Sequence, residues 1–452
     1  MARPPGPTPL PGGGGSADAS AEYLAFADRV WRGEESLRRH YAGEFTTGRL
    51  VAVGERTGFF PAFSNVVVFD TGDGLVLVDS GGAATAGALH SAVRAFSGAP
   101  VRYVVFTHGH TDHVGGVGPF DREAPGPEVV AQEAVVARFD RYRLTAGYNE
   151  HANRRQFGLP ALTWPEEYRR PDITYRDAFT LPCGELNFDL LHVRGETDDH
   201  TRVWVPELLT LCPGDLFIWA VPNAGNPQKA QRHPEEWAAA LRDMGSLGAE
   251  VMLPGHGVPV RGAGRIRQAL GDTAGLLETL CEQTRDLMNR GLRLDEVLHR
   301  VEVPRALLER PYLRPTYDEC EFVVRNLWRL WGGWYDQNPA RLKPAPDAAV
   351  AAEFAAAAGG ADVLARRALG LLDAGELRLA CHLAEAAALA APEDRDIARV
   401  RARVYARRAG RETSTMARGI FSWAAAESAS AAEGTDVATE LARLNEAEAG
   451  DG

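Results

Sequence analysis

Residues 107–116 read THGHTDHVGG and directly follow the apolar run VRYVVF. The run predicts a buried strand, and the loop behind it brings three histidines and an aspartate into six residues, namely His108, His110, Asp112 and His113. The first two can turn toward one point, while the other two turn toward a second point nearby. Because imidazole and carboxylate ligands at this spacing suit Zn2+ or a similar cation, the stretch predicts a metal site.

The composition limits the kind of protein and the partners to expect. A chain of 452 residues exceeds what one core usually organises, so we expect two folded units. A net charge of −12, spread along the chain, argues against a nucleic acid partner. No run approaches ~18 uninterrupted apolar residues, so we expect no membrane partner. The five cysteines lie far apart, which predicts free thiols in a cytoplasmic protein.

The first half of the chain alternates β-rich and helical patterns. Residues 1–20 are rich in Pro and Gly and predict a disordered leader. Short β-rich runs then alternate with turns and helical patches across residues 45–262. This alternation predicts an α/β domain, in which helices cover sheets, at residues 21–264.

The second half has helical spacing and no strand pattern. It predicts an all-α domain at residues 265–424. Within it, an Ala-rich helix pair hinged near Ala374 and Gly375 resembles one tetratricopeptide unit, which cannot bury its own apolar face alone. From residue 425 to 452 the Ala, Glu and Ser content predicts a flexible tail.

The HGHTDH stretch resembles the H-x-H-x-D-H motif of the metallo-β-lactamase superfamily. The resemblance extends over about residues 45–262 and implies an αββα sandwich with a one- or two-metal site at the edge of its sheets. It also implies further ligands downstream in a fixed order.

The first downstream ligand falls in VRGETDDH, where Glu196 stands at the place of the histidine of most members. Alkylsulfatases of this superfamily carry a glutamate there that ligates zinc. Asp198, Asp199 and His200 compete for this role. For the two aspartates a hydrogen-bonded turn is the simpler interpretation, and His200 could support a ligand from behind.

Three further residues follow from the resemblance. Asp215, in LLTLCPGDLF, matches the bridging carboxylate, and His256, in EVMLPGHG, matches the last histidine. Asp79, in LVLVDSGG, matches a carboxylate that orients the metal ligands.

The helical half carries a second resemblance. The run R-N-x-x-R-x-x-G-G-W-Y-D-x-N-P begins at Arg325. With the helices around it, at about residues 265–421, it resembles the dimerisation domain of the alkylsulfatases. The resemblance implies a homodimer through the helical domain, and together with Glu196 it favours the alkylsulfatase branch.

The resemblance implies two Zn2+ ions that share a hydroxide. One ion would be held by His108, His110 and Glu196, the other by Asp112, His113 and His256, with Asp215 between them. We assign the catalytic carboxylates to Asp112 and Asp215. Binding to the metals would lower the pKa of water toward ~7 and supply a nucleophile at neutral pH.

We expect a small-molecule ester as substrate, and three functions remain open. The first is hydrolysis of an alkyl sulfate; the second is hydrolysis of a carboxylic ester, lactone or thioester, favoured by PGD and LPGHG. The third is a scaffold whose metal is structural, which the seven ligands disfavour because structural zinc sites usually have four. The arginine thought to meet the sulfate in alkylsulfatases has no clear equivalent, and Asn226, Lys229 and Arg232 are candidate anion contacts.

Overall fold

The computed structural model describes residues 15–46 and 48–450. Residues 1–14 of the predicted leader lie outside this part. The prediction of disorder was wrong for residues 15–20, which begin helix α1, Gly15–Trp31. Ser20 accepts a hydrogen bond from the backbone N–H of Ala52 at 3.0 Å, and Tyr23 is buried in the core, so tertiary contacts hold this helix.

The first sheet of the described chain has seven strands in sequential order. They are β1 Val51–Gly54, β2 Thr57–Phe60, β3 Val66–Asp70, β4 Leu75–Val78, β5 Val101–Val105, β6 Glu128–Gln132 and β7 Ile173–Tyr175. Strands β1 to β4 pair antiparallel, and β4 to β7 pair parallel. The loop with the histidine motif therefore follows β5, in the middle of the parallel part.

The second sheet has six strands in the order β13, β12, β11, β10, β9, β8. They are β8 Ala178–Cys183, β9 Leu186–His192, β10 Thr201–Val205, β11 Thr210–Gly214, β12 Val251–Pro254 and β13 Val260–Arg261. All pairs are antiparallel except β11 with β12.

Alternate side chains of the first sheet enter two different cores. On β3, Val67 and Phe69 lie in the cluster between the sheets, where they meet residues such as Phe188 of β9. Val66 and Val68 lie in the outer cluster, under the helices that cover the first sheet. A strand buried on both faces in this way has no polar alternation, which explains the apolar run NVVVF. The predicted αββα sandwich is confirmed.

Helices cover both outer faces. In this half the helices after α1 are α2 Arg38–Tyr41, α3 Ala86–Phe96, α4 Thr111–Val114, α5 Gly118–Asp121, α6 Ala134–Leu144, α7 Ala146–Phe157 and α8 Pro234–Ser246. Leu89 and Val93 of α3 pack under the first sheet, and Trp237 and Leu241 of α8 pack against the second.

The rest of the described chain is helical, as predicted. Its helices are α9 Ala263–Asn289, α10 Leu294–Leu298, α11 Arg305–Leu308, α12 Cys320–Gly332, α13 Pro339–Leu342, α14 Asp347–Ala358, α15 Ala361–Asp373, α16 Leu377–Ala390, α17 Arg395–Ala409, α18 Thr415–Glu433 and α19 Val437–Gly450. The hinge near Ala374 and Gly375 separates α15 from α16. No single helix of the described residues is long and apolar enough to span a membrane; α14 and α15, bent by 85°, meet that test only as a pair.

The helical half is joined to the sandwich by packing. Leu277 of α9 and Leu327 of α12 belong to the same continuous core cluster as Val67 and Phe188 of the two sheets, whereas α14 to α17 form clusters of their own. Helix α18 crosses α7 so closely that a Cβ at Gly419 would lie 1.9 Å from the carbonyl oxygen of Gln156. The catalytic and helical halves therefore meet at α7.

The predicted flexible tail at residues 425–452 was wrong for residues 425–450. They complete α18 and form α19, while the last two residues lie outside the described part. Trp423 and Ala426 of α18 pack with Leu441 of α19 in a small apolar cluster. An Ala- and Glu-rich composition suits a helix, and this packing stabilises it.

Candidate metal centre

The loop after β5 turns two imidazoles toward each other. His108 is fully buried, and its Nδ1 lies 3.0 Å from the hydroxyl oxygen of Thr107. Its Nε2 lies 2.7 Å from Nδ1 of His110. Because Thr107 occupies one ring nitrogen of His108, the other is left to face a ligand.

A second group forms where α4 meets the end of β12. Oδ2 of Asp112 lies 3.6 Å from Nε2 of His113 and 3.4 Å from Nε2 of His256. The carbonyl oxygen of Phe63 lies 2.6 Å from Nδ1 of His256 and so orients its ring. Asp112, His113 and His256 therefore converge although more than 140 residues separate the first from the last.

Two carboxylates from the second sheet complete the cluster. Glu196 lies between β9 and β10, and Asp215 directly follows β11. The potential ligand atoms form two groups, in each of which the atoms lie within 4.8 Å of one another. The first group is His108, His110, Glu196 and Asp215, and the second is Asp112, His113 and His256. The structure thus brings together all seven residues that the sequence suggested as ligands.

Asp215 lies between the two groups. Its Oδ2 is 3.7 Å from Nε2 of His108 and 3.2 Å from Nε2 of His256. Its Oδ1 is 3.3 Å from Nε2 of His113. One carboxylate therefore contacts histidines of both groups, which is the arrangement that a bridging ligand needs.

The surrounding protein shifts the pKa values of several of these groups strongly. Burial raises the pKa of Glu196 to about 8, and the Asp215 carboxylate adds to the rise. Burial lowers the pKa of His108 well below its usual range. Burial also acts against protonation of His256, but the Asp215 carboxylate outweighs it and raises the pKa to about 9. Such opposed shifts within one cluster are typical of functional sites.

Glu196 is held by residues that the sequence analysis missed or assigned elsewhere. Asn223 donates a side-chain hydrogen bond to its Oε1. Arg232 donates to its peptide oxygen and lies 3.6 Å from Oε1. Arg232, which was a candidate anion contact, thus contacts a candidate ligand. For Asn223 the sequence offers no signal, because the contact spans 27 residues between two loops.

Asp198, Asp199 and His200, the alternatives to Glu196 as a metal ligand, have other partners. Arg138 forms ion pairs with both Asp198 and Asp199, and Asp199 also accepts the N–H of Gly109 at 3.1 Å. The interpretation of these aspartates as turn residues fits these contacts. Nε2 of His200 accepts the backbone N–H of Asp215 at 3.1 Å, while its ring stacks on that of His108 at 4.8 Å. His200 therefore supports the cluster from behind.

Asp79 lies behind His113. Its Oδ2 is 2.8 Å from Nδ1 of His113, and it also accepts the backbone N–H and the hydroxyl of Thr107 at 2.7 and 2.9 Å. This buried carboxylate thereby links the loop of the histidine motif to a candidate ligand. Its position is that of a residue that orients ligands.

The donor set fits a divalent metal. Oε2 of Glu196 and Oδ1 of Asp215 are buried and have no hydrogen-bond donor among the described residues, so both carboxyl oxygens are available to a cation. Imidazole and carboxylate are ligands that zinc accepts. A Cβ at Gly255 would lie 2.4 Å from Oδ1 of Asp215, so a residue without a side chain keeps the centre open.

The remaining anion candidates lie beside α7. The side-chain oxygen of Asn226 accepts the N–H of Gln228 at 3.0 Å. Nζ of Lys229 donates to the side-chain oxygen of Asn153 at 3.0 Å and lies over the ring of Trp164. Burial, aided by the charge of Arg232, lowers the pKa of Lys229 to about 8. Contact of Asn226, Lys229 and Arg232 with a substrate anion stays a prediction.

An aromatic cluster stands beside the centre. The ring of Phe63 lies 5.0 Å from that of His256, 6.0 Å from Tyr41 and 6.4 Å from Phe157. Phe63 is 52% exposed and Tyr41 is 43% exposed. The second group of ligands therefore borders an apolar surface that is open to solvent.

Two family profiles match the chain. The metallo-β-lactamase superfamily profile matches residues 60–256, and the alkyl sulfatase dimerisation profile matches residues 293–431. The chain thus contains a metallo-β-lactamase domain and is a hydrolase of this fold. More particularly, it combines that domain with an alkyl sulfatase dimerisation domain.

Curated relatives with the name of alkylsulfatase match most of the chain. A linear primary-alkylsulfatase of Pseudomonas sp. is 27% identical over 398 residues, which cover 82% of this chain and 75% of the relative. An (R)-specific secondary-alkylsulfatase of Pseudomonas sp. is 26% identical and covers 75% of this chain and 56% of the relative.

A solved structure shows the same fold. The stereoselective inverting sec-alkylsulfatase Pisa1 from Pseudomonas sp. superposes with a TM-score of 0.77 at 20% identity. The superposition covers 94% of this chain and 78% of that one. The fold prediction therefore holds for both halves of the chain.

Proposed function

We propose that this chain hydrolyses sulfate esters of apolar alcohols at a centre that binds two zinc ions. The observation that supports this most directly is the position of Asp215, whose two oxygens contact histidines of both ligand groups. Two groups with a shared carboxylate are what a dinuclear site requires. A single structural ion would leave one of the groups unexplained.

His108, His110 and Glu196 would hold the first ion, Asp112, His113 and His256 the second, and Asp215 would serve both. Bound divalent ions would lower the pKa of a water molecule and neutralise charge on the leaving oxygen. Arg232 and Asn223 orient the carboxylate of Glu196. Asp79 and His200 orient His113 and the backbone of Asp215.

The aromatic cluster and the relatives support the substrate class. Phe63, Tyr41 and Phe157 offer an apolar surface for the alcohol part of an ester, next to His256. Lys229, which is hydrogen-bonded to Asn153 of α7, supplies a positive charge for the anionic sulfate part of the ester. Both curated relatives described above carry the name of alkylsulfatase.

The decisive comparison uses two substrates on one metal-loaded sample. A medium-chain alkyl sulfate and an acyl thioester of equal chain length are incubated with the protein, and inorganic sulfate and free thiol are measured. The proposal expects sulfate release and little thiol. Thioester cleavage alone would favour the second function, to which PGD and LPGHG pointed.

We propose further that the chain forms a homodimer through the helical half. Val350 and Phe354 of α14 and Leu379 of α16 are large apolar side chains with 37%, 59% and 53% exposure. They lie inside the region matched by the dimerisation profile. A second copy of the chain would cover this surface.

We also propose a cytoplasmic location. All five cysteines are free thiols, and three of them are buried. Free thiols persist in a reducing compartment. Microscopy of a fluorescent fusion that showed export of the protein would contradict this proposal.

A further inference from the structure

The R-N-x-x-R run of the helical half contacts the loop that carries Arg232, a neighbour of the candidate metal ligand Glu196. Asn326 lies on α12 and is 4% exposed. Its Oδ1 accepts from Nε2 of Gln231 at 2.9 Å and from the backbone N–H of Arg232 at 3.4 Å. Its Nδ2 donates to the backbone oxygen of Arg232 at 3.1 Å. The side-chain amide therefore binds the peptide groups of Arg232 on both sides.

The last arginine of the R-N-x-x-R run strengthens this contact. Arg329, one helical turn after Asn326, donates to the side-chain oxygen of Gln231 at 2.8 Å and to Oδ1 of Asn326 at 3.2 Å. An amide presents a donor and an acceptor side by side, so it can pair with a backbone segment as a neighbouring strand would. The backbone at Arg232 is thereby fixed to α12.

Arg232 carries this restraint to Glu196. The arginine is 3% exposed and Glu196 is 1% exposed, so their contact is shielded from water. The guanidinium donates to the peptide oxygen of Glu196 and lies 3.6 Å from Oε1, while Oε2 is left without a donor. In a buried place the position of this cation decides where the carboxylate rests, because an unpaired buried charge is costly.

We infer that Asn326 is a positioning residue for the first metal site, acting through Arg232 on Glu196. The inference rests on the proposed metal centre. The R-N-x-x-R run then has a role besides the proposed dimerisation. The helical half would support a metal site whose ligands all lie in the catalytic half. Asn326 and Glu196 are 130 residues apart, so no local pattern suggests the connection.

The test replaces Asn326 by leucine, which has nearly the same shape and none of the hydrogen bonds. Zinc is titrated against a chromophoric chelator, which gives the number of sites and their affinities. We expect N326L to keep one site and to bind the other ion roughly ten- to a hundred-fold more weakly, as is usual when the support of a ligand is lost. Hydrogen exchange of the metal-free protein should be faster at residues 223–233.

Thr284→Val is the matched control. Thr284 is buried on α9, and its hydroxyl has no partner among the described residues, so its loss should leave both affinities unchanged. Asn326→Asp serves if N326L folds poorly, because it keeps the acceptor, removes the donated hydrogen bond and sets a carboxylate oxygen against the backbone oxygen of Arg232. It should weaken the same site.

The outcomes separate the two claims. If the wild type binds two zinc ions and both N326L and N326D bind them with unchanged affinity, the inference is overturned. The proposed function is then left intact. A wild-type chain that binds no zinc would contradict the proposed function, and the inference with it. Equal weakening of both sites, with a lower thermal midpoint, would show a general structural role and would also overturn the inference.

Discussion

Oδ2 of Asp79 lies 2.8 Å from Nδ1 of His113, and both side chains are buried. The carboxylate accepts a hydrogen bond from Nδ1, which leaves Nε2 as the nitrogen available to a metal ion. Nε2 is the nitrogen that faces Asp215 and His256. This contact therefore selects the tautomer that can bind a metal.

Asp79→Asn should weaken metal binding roughly ten- to a hundred-fold. The asparagine oxygen can still accept the N–H of Thr107, so its amide group would face His113 and reverse the tautomer. Chelator competition measures the effect. Asp73→Asn, in an exposed turn, is the control. Equal affinities of the wild type and D79N would show that Asp79 does not orient His113.

Phe63→Ala should lower kcat/KM for a medium-chain alkyl sulfate about ten-fold, which corresponds to ~1.4 kcal/mol of lost apolar contact. The carbonyl oxygen of residue 63 would still orient His256, so a very short alkyl sulfate should be affected less. Leu144→Ala removes another exposed apolar side chain, at the end of α6, and is the control. A uniform loss for all chain lengths would argue against an apolar binding surface.

Lys229 should give KM a pH dependence. Its pKa is lowered to about 8, so the ammonium loses its proton, and its attraction for an anionic ester, as the pH rises through that value. KM of the wild type should rise there. Lys229→Arg keeps the charge and should remove this component, while Lys229→Met should raise KM at lower pH too. Identical KM profiles of the wild type and K229R would exclude Lys229 as an anion contact.

Phe354→Asp should dissociate the dimer. The wild type should show about twice the 48.9 kDa of one chain in light scattering, and the variant should show the mass of one chain. A charge at the centre of an apolar contact would be buried on association, which is costly. Leu144→Asp, outside the dimerisation region, should stay dimeric. A wild type with the mass of one chain would contradict the dimer itself.

The sequence predicts the sandwich and the candidate ligands for a physical reason. The ligands stand directly behind buried strands, as His108 does behind β5 and Asp215 behind β11, so apolar runs mark their places. The order of the motifs then follows the order of strands. The contacts of Asn223, Asn326 and Arg138 were not predictable, because hydrogen bonds between distant loops leave no periodic pattern.

The predictions of disorder that rested on composition were wrong at the two ends of the described chain. Small residues before Tyr23 suggested disorder, yet Ser20 is bound to the first sheet. The Ala-rich segment after Trp423 suggested fraying, yet it packs against α19. Whether a weakly apolar helix forms depends on the neighbour it meets, and a single sequence does not show that neighbour.

The central claim is that two bound ions at the seven-residue cluster hydrolyse an alkyl sulfate. Sulfate release from a medium-chain alkyl sulfate, followed while zinc is added to the metal-free protein, tests it most directly. The account predicts that release reaches its maximum near two zinc ions per chain and that Asp215→Asn stays inactive at every ratio. No sulfate release at full zinc occupancy, or full activity of D215N, would contradict it.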